Sequence, residues 1–291
     1  MSAGEKMMAA HQKPGPGAGE ALNQMQEIQP RVGDSTRGRR FNQDRRRIEP
    51  EAGAKKDMTI FQNILFDLDG TLTDSGPGIT RSVQYALGKL GIDEPDLVRL
   101  RTFVGPPLSD SFVRQYHLTT AETAKAVAYF RERYTVTGVY ENALYPGITQ
   151  MLKDLKAAGR HLAVASSKPE PLVLTVLEHF RIMPYFDVVC GADPAREEDG
   201  VARGSDKDII VRRALSLLGE EDCTAACGEE TAMVGDRCYD IDGAHANHVA
   251  AVGVSYGYGS REELVQAGAD FVADSAEDLR RFLMDGHGVR R

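Results

Sequence analysis

Long apolar runs are missing from this chain. None reaches the roughly 18 residues that a bilayer-crossing helix needs, and the first residues hold no apolar core of the kind a secretory leader carries. A membrane partner is therefore not expected, and a reducing, cytoplasmic setting is. Cysteine is scarce: the four in 291 residues, Cys190, Cys223, Cys227 and Cys238, are too few and too scattered for a disulfide framework. Cys223 and Cys227 lack a second Cys or His pair at metal spacing, so ordinary thiols are expected there rather than zinc. Basic runs are absent from the body, and the formal net charge is -8. That balance argues against a nucleic acid polymer as partner. It leaves a small anionic substrate open, because a local group of Lys, metal and backbone N–H decides such binding.

What is present falls into two parts. Residues 1–57 carry Pro14-Gly15-Pro16-Gly17, a basic cluster of Arg37, Arg39, Arg40, Arg45, Arg46 and Arg47, and almost no branched aliphatics. Such a segment cannot bury enough surface to offset the entropy of ordering, and it is expected to be a disordered extension. Asp44, Glu49 and Glu51 interrupt the cluster, which speaks against an organelle-targeting helix. From Ile60 onward short apolar runs alternate with amphipathic segments. The alternation predicts an α/β fold, a Rossmann-like, doubly wound and mostly parallel sheet, and 42% hydrophobic residues give it ample core. Strands are expected at 63–66, 161–165, 188–190, 232–234, 250–254 and 270–272. Helices are expected at 147–158, 170–179, 206–218, 239–247, 261–267 and 276–284, several with Ser or Pro in capping or first-turn positions.

Between the first strand and Pro146 the pattern turns helical. Ile79, Val83, Leu87 and Leu90 keep helical spacing after Pro77, and 121–138 reads as one longer helix with Val127, Phe130 and Tyr134 on a stripe. The expected organisation is a helical cap over 76–146, inserted into a core made of 58–75 and 147–291. Gly105-Pro106-Pro107 is expected to form a stiff turn in that cap, with hinges near 75–78 and 145–147.

One stretch organises the rest. Ile64-Leu65-Phe66-Asp67-Leu68-Asp69-Gly70-Thr71 is a strand-like run that ends in two carboxylates and then breaks at Gly70. In extended backbone Asp67 and Asp69 start on one face while Leu68 turns to the other. Carboxylates this close repel unless a cation lies between them, one keeps its proton, or both face water as a solvated turn. Other strand ends are similarly dressed. The run 161–165 ends in Ser166-Ser167-Lys168-Pro169, where a hydroxyl and helix N–H groups can hold an anion, or where Ser166 or Ser167 simply caps the helix. Thr231-Ala232-Met233-Val234 ends in Gly235-Asp236-Arg237-Cys238-Tyr239-Asp240; Asp240 and Asp242 also suit a helix start, whereas Asp236 does not. Lys207 opens the next predicted helix, where a solvated charge is the ordinary role.

Taken jointly, these residues sit on successive strand-to-helix junctions of one sheet, and in that order the chain resembles the haloacid dehalogenase-like hydrolase superfamily. Asp67-Leu68-Asp69-Gly70-Thr71 matches its first motif, Ser166 the second, Lys207 the third and the Gly235-to-Asp240 run the fourth. The likeness spans about 60–284. The helical insert resembles the cap of the phosphoglycolate-phosphatase-like branch. Gly105-Pro106-Pro107-Leu108, Tyr140-Glu141-Asn142, Ser167-Lys168-Pro169 and Tyr256-Gly257-Tyr258-Gly259-Ser260 are similar to bacterial members described as 5'-nucleotidases.

The resemblance implies a phosphatase acting through an aspartyl-phosphate. Asp67 would be the nucleophile and Asp69 the acid that protonates the leaving alkoxide and then the base for water. Mg²⁺ would be held by the Asp67 carboxylate, the Asp69 carbonyl and Asp236, with Asp240 in support. Ser166 and Lys207 would hold the transferring oxygens. Gly70, Thr71, Ser167, Lys168, Arg81 and Arg131 are candidates for substrate contact. Arg114, Arg133, Phe112, Tyr116, Phe130 and Tyr134 are weaker ones, since helix arginines are usually solvated and aromatic stripes usually core. Nucleoside 5'-monophosphates come first as substrates, phosphoglycolate or sugar phosphates second, and a receiver-like or silent phosphate-binding module third. The expected partner is a small phosphorylated metabolite, bound by a monomer or homodimer. Two stretches, 192–205 and 220–230, depart from the plainest family pattern and are expected to be surface insertions. Should the first displace Lys207, Lys168 would take over as the phosphoryl cation.

Overall fold

A computed structural model describes residues 60–219 and 230–285. The expected extension over 1–57, the Cys223 and Cys227 pair and nearly all of the second insertion lie outside the described residues. The sheet is built on β1 (Asn63–Phe66), whose Ile64, Leu65 and Phe66 are fully buried, as a central strand covered on both faces requires. It pairs in parallel with β4 (His161–Pro169) on one side and β6 (Thr231–Gly235) on the other, so that Phe66 lies beside both Val164 and Val234. With β5 (Val188–Ala192), β7 (Ala250–Val254) and β8 (Phe271–Ala273) the order is β5-β4-β1-β6-β7-β8, every neighbouring pair parallel. Strand order reverses at β1, and such a switch point opens a crevice beyond the carboxyl ends of β1, β4 and β6.

Alternation along the strands divides the core in two. Ile64 and Phe66 face α4 (Ile148–Ala157), α5 (Glu170–His179) and α9 (Ala276–Asp285) through Leu152, Leu177 and Leu279. Leu65, Ala163 and Met233 face α6 (Lys207–Leu217), α7 (Cys238–Ala246) and α8 (Arg261–Gln266) through Val211, Ile241 and Leu264. The predicted strands and helices of this part recur within a few residues of their expected ends. β4 is the exception: it stays extended through Ser166, Ser167 and Lys168, with a shift of register against β5.

The chain leaves β1 and returns to α4 through an antiparallel pair, β2 (Thr73–Asp74) and β3 (Ala143–Leu144), which clips together the two ends of the helical insert. Between them stand α1 (Gly76–Lys89), α2 (Leu108–Tyr116) and α3 (Thr120–Tyr134). Val83 and Leu87 of α1 are buried with Val127 and Phe130 of α3 in one apolar cluster. The single long helix expected over 121–138 is instead α3 followed by a 3₁₀ turn at Gly138–Tyr140. α3 starts at Thr120 because Thr119 and Glu122 form a reciprocal capping box. α2 was invisible to periodicity: Phe112 is its one fully buried large side chain, set edge-on to Phe103 at 5.0 Å.

The first expected insertion, 192–205, is largely exposed, as a surface insertion is, and is tied to the helical insert. Its Arg203 and Gly204 amides donate to the Asp110 carboxylate of α2 at 3.2 and 2.9 Å, and Gly200 lies against the backbone of Thr120 and Ala124. No helix among the described residues is long and apolar enough to cross a membrane.

Candidate active site

The site begins where β1 ends. The Leu68 carbonyl accepts from the amides of Leu72 and Thr73, both at 3.0 Å, curling the chain into a tight turn after Asp67. Gly70 sits in this turn at φ +87°, and a Cβ there would stand 2.2 Å from Asp236 Oδ2. Only glycine allows both that backbone and that approach. Asp236 follows Gly235 at the end of β6, and a Cβ on Gly235 would meet the Asp240 carboxyl carbon at 2.0 Å. Glycines thus let three carboxylates crowd together: one oxygen each of Asp67, Asp236 and Asp240 lies within 4.8 Å of the others, all three residues being buried.

Lys207, the first residue of α6, enters this group from the helix layer that also holds α7. Its Nζ donates to Asp67 Oδ1 at 2.7 Å and to the Ala165 carbonyl at 2.8 Å, and pairs with Asp240 Oδ1 at 2.7 Å. Its stem passes over Gly243, where a Cβ would stand 2.7 Å from Lys207 Cγ. Lys207 is not displaced by the preceding loop, so the substitution of Lys168 for it does not arise. Lys168 has its own place, donating to Asp69 Oδ2 at 2.7 Å and to the Tyr134 hydroxyl at 2.6 Å. The other oxygen of Asp69, Oδ1, is buried and has no hydrogen-bond partner among the described residues.

Three buried carboxylates against one ammonium leave surplus negative charge. Burial, only partly offset by Lys207, pushes the Asp67 carboxyl up to about 6, and burial with Asp240 and Asp67 beside it raises Asp236 well above the usual carboxylate range. Burial alone would discharge Lys207 and Lys168; Asp240 and Asp67 for the first, and Asp69 and Tyr134 for the second, outweigh it and hold both firmly protonated. The Asp67, Asp236 and Asp240 oxygens are hard donors carrying surplus negative charge, a set that fits a hard divalent cation.

Asp67, Asp69, Ser166, Ser167, Lys168 and Arg131 line one cavity between sheet and insert. Its remaining wall is largely apolar, with Phe103, Pro106 and Phe130 from the insert and Leu172 from α5. Ser166 Oγ also accepts from the Lys168 amide at 3.3 Å. Lys207, Asp236 and Asp240 are not among the residues lining this cavity. Other expected substrate contacts fall elsewhere. Gly70 and Thr71 are not in the wall; Thr71 Oγ1 points at Asp236 Oδ1, 3.5 Å away. Arg81 pairs with Glu141 at 2.9 Å and borders a different cavity, beside Asp74 and Tyr258, which it shares with Pro77 and Thr80 of the same helix. Arg131 reaches the wall, yet its guanidinium donates to the Pro194 carbonyl at 2.7 Å. Arg133 serves Ser82 and Glu141, Phe112 is core, and Tyr116 donates to Glu94 at 2.8 Å.

Sequence reading missed two groups here. The Tyr134 phenol was visible only as one member of an aromatic stripe. Tyr258 donates its amide to Asp236 Oδ2 at 2.7 Å, while its phenol accepts from the Gly76 amide at 2.6 Å and donates to Asp74. A signal existed for the second: in Tyr256-Gly257-Tyr258-Gly259 a Cβ on Gly257 would stand 2.4 Å from Asp236 Cβ, and one on Gly259 1.9 Å from the Asp236 carbonyl.

Comparison with known proteins agrees with this geometry. The family model of the haloacid dehalogenase-like hydrolases matches residues 64–254. A 5'-nucleotidase of Pseudomonas aeruginosa is 45% identical over 204 residues, 70% of this chain and 87% of that protein. The tyrosine-protein kinase PtkA of Mycobacterium tuberculosis is 36% identical over 224 residues, 76% of this chain and 72% of that one. Among solved structures, a predicted phosphatase from Clostridium acetobutylicum superposes with a TM-score of 0.69 at 40% identity, covering 77% of this chain and 98% of its own. Because that family model matches well over half of the chain, the chain belongs to the haloacid dehalogenase-like hydrolase family.

Proposed function

We propose that this protein is a Mg²⁺-dependent phosphatase of small phosphate monoesters that works through an aspartyl-phosphate on Asp67, with nucleoside 5'-monophosphates as its first substrates. The observation that carries the reading is the division of labour between two neighbouring acids: Asp67 is paired with Lys207 beside the acid cluster, whereas Asp69 is paired with Lys168 and keeps a free Oδ1. An Asp67 oxygen attacks phosphorus, the ester P–O bond breaks, and its electron pair leaves on the alkoxide, which takes a proton from Asp69. Water then adds to phosphorus and gives its proton to Asp69. The P–O bond to Asp67 breaks, its electron pair returns to the carboxylate, and inorganic phosphate is released. Lys207 fixes the attacking carboxylate, and Ser166 and Lys168 are the side chains in reach of the phosphoryl oxygens. A divalent ion held by Asp67, Asp236 and the Asp69 carbonyl, supported by Asp240, would supply the charge neutralisation that phosphoryl transfer needs.

Two features favour nucleotides. The relative at 45% identity is named a 5'-nucleotidase, and the apolar wall of Phe103, Pro106, Phe130 and Leu172 offers a base a face to lie against. A second reading, transfer of the phosphoryl group to a tyrosine hydroxyl, is favoured by the name of the PtkA relative. Released phosphate measured across nucleoside 5'-monophosphates, 2-phosphoglycolate and sugar phosphates, with Mg²⁺ or EDTA, separates these. Mg²⁺-dependent release, greatest with nucleotides and reduced more than about 10³-fold in Asp67→Asn, is expected. Near-normal turnover by that variant would reject the nucleophile, and label passing from nucleotide to protein tyrosine rather than to water would favour the second reading.

A further inference from the structure

Arg237 stands between Asp236 and Asp240 in sequence, the position from which a cation would be expected to meet phosphate or acid. Its guanidinium does something else. Nε donates to Glu263 Oε1 at 2.9 Å, and Nη1 donates to the Val104 carbonyl at 2.6 Å, 133 residues away in the helical insert. The Glu263 carboxylate is itself tied down by the Cys238 amide at 2.9 Å, at the start of α7. Val104 is fully buried and precedes Gly105-Pro106-Pro107, three residues of the cavity wall. Gly105 lies directly on the arginine stem: a Cβ there would stand 2.9 Å from Arg237 Cγ, and its φ of +101° is one that side chains rarely adopt.

From this we infer that Arg237 is a positioning residue that clamps the Gly-Pro-Pro loop of the insert over the substrate cavity, anchored between Asp236, just after β6, and Asp240, in the first turn of α7. The inference rests on the phosphatase reading for its kinetic consequences only. Two bonds from one planar, always-charged group fix both distance and direction, which a single ammonium cannot do. Without the clamp the free protein spends less time with the loop in place. Apparent affinity then falls by the fraction of time the competent arrangement is populated. Once substrate is bound and the loop seated, Asp67 and Asp69 are unchanged, so KM moves and kcat does not.

The test uses the full chain with Arg237→Ala and Arg237→Lys, in three measurements: steady-state kinetics on the best ester of the panel, the Mg²⁺ concentration giving half activity, and amide hydrogen exchange over 99–111 without metal or substrate. The expected result for Arg237→Ala is a KM raised about tenfold with kcat within about threefold. Half-saturating Mg²⁺ should stay unchanged and exchange over 99–111 should quicken. Arg237→Lys should fall between, and it carries the test alone if the alanine variant does not fold. A fall in kcat at constant KM would overturn the clamp in favour of direct action on the reacting groups. A shift in the Mg²⁺ requirement would assign Arg237 to the acid loop instead, and unchanged exchange over 99–111 in both variants would also overturn the inference. If the parent protein hydrolyses no ester, the functional reading fails while the exchange measurement still decides the clamp.

Discussion

Asp69 differs from Asp67 in what it touches, and the difference is testable through the leaving group. Lys168 occupies Oδ2 and no group among the described residues occupies Oδ1, so Asp69→Asn should keep the shape of the site and lose the proton transfer. Release of phosphate from a nucleoside monophosphate, whose alkoxide needs a proton, should fall by about 10² to 10⁴-fold. Release from p-nitrophenyl phosphate, whose phenolate leaves unaided, should fall much less. An equal loss on both would remove Asp69 from the acid role. At this scale the sequence was informative where a residue's place follows from its own strand. Asp67, Asp69, Ser166 and Asp236 were legible because a strand end aims them. Tyr134 and Arg237 were not, since their partners lie 34 and 133 residues away and no local pattern specifies such a meeting.

Among elements, the segment 192–205 carries the least expected result. Its charge and glycine content suggested a surface insertion, and largely exposed as it is, it also grips α2 through Asp110 and rests Gly200 on the first turn of α3. Gly200 has φ +71°, and a Cβ there would stand 2.4 Å from both the Thr120 carbonyl oxygen and the Ala124 amide nitrogen. Gly200→Ala should therefore cost about 1–3 kcal/mol in denaturant unfolding and expose the segment to limited proteolysis. A change below about 0.5 kcal/mol, the size of an ordinary surface substitution, with unaltered cleavage would show that this contact does not hold. The strands and most helices were readable because burial on a sheet imposes a period on the sequence. α2 and the β2–β3 pair were not: one buries little, and the other has two residues per strand, too short to show any period.

For the molecule as a whole, the acid cluster joins the ends of β1 and β6 to the start of α7, and stability should report its charge. Asp67 has a folded pKa of about 6 against 3.8 for an unperturbed aspartate, so the unfolded chain releases its proton first as pH rises. In EDTA the folded state should lose stability between about pH 4 and pH 6, with Asp236, raised in the same direction, adding to the loss. Asp67→Asn should remove its share of this decline, because Lys207 keeps Asp240 as partner. Saturating Mg²⁺ should stabilise the parent protein, by about 2.7 kcal/mol at a hundredfold excess over Kd, and Asp236→Asn much less. Thermal melts across pH, with EDTA or Mg²⁺, check all three; a metal-free parent whose midpoint is flat from pH 4 to 6 would mean the carboxylates are not held in surplus.

By itself the sequence determined the parallel sheet, the order of its chemical groups and the family, because apolar period and strand-end residue type are local properties. Tertiary structure alone decided which groups share a cavity, that Thr71 and Arg81 do not line it, and that Arg131 is held by a loop from the core. It also decided that Arg237 reaches across to the insert. Those outcomes depend on the direction a side chain takes after the layers have packed, and on glycines whose missing Cβ lets distant backbones touch, neither of which is encoded within a few residues of the group concerned.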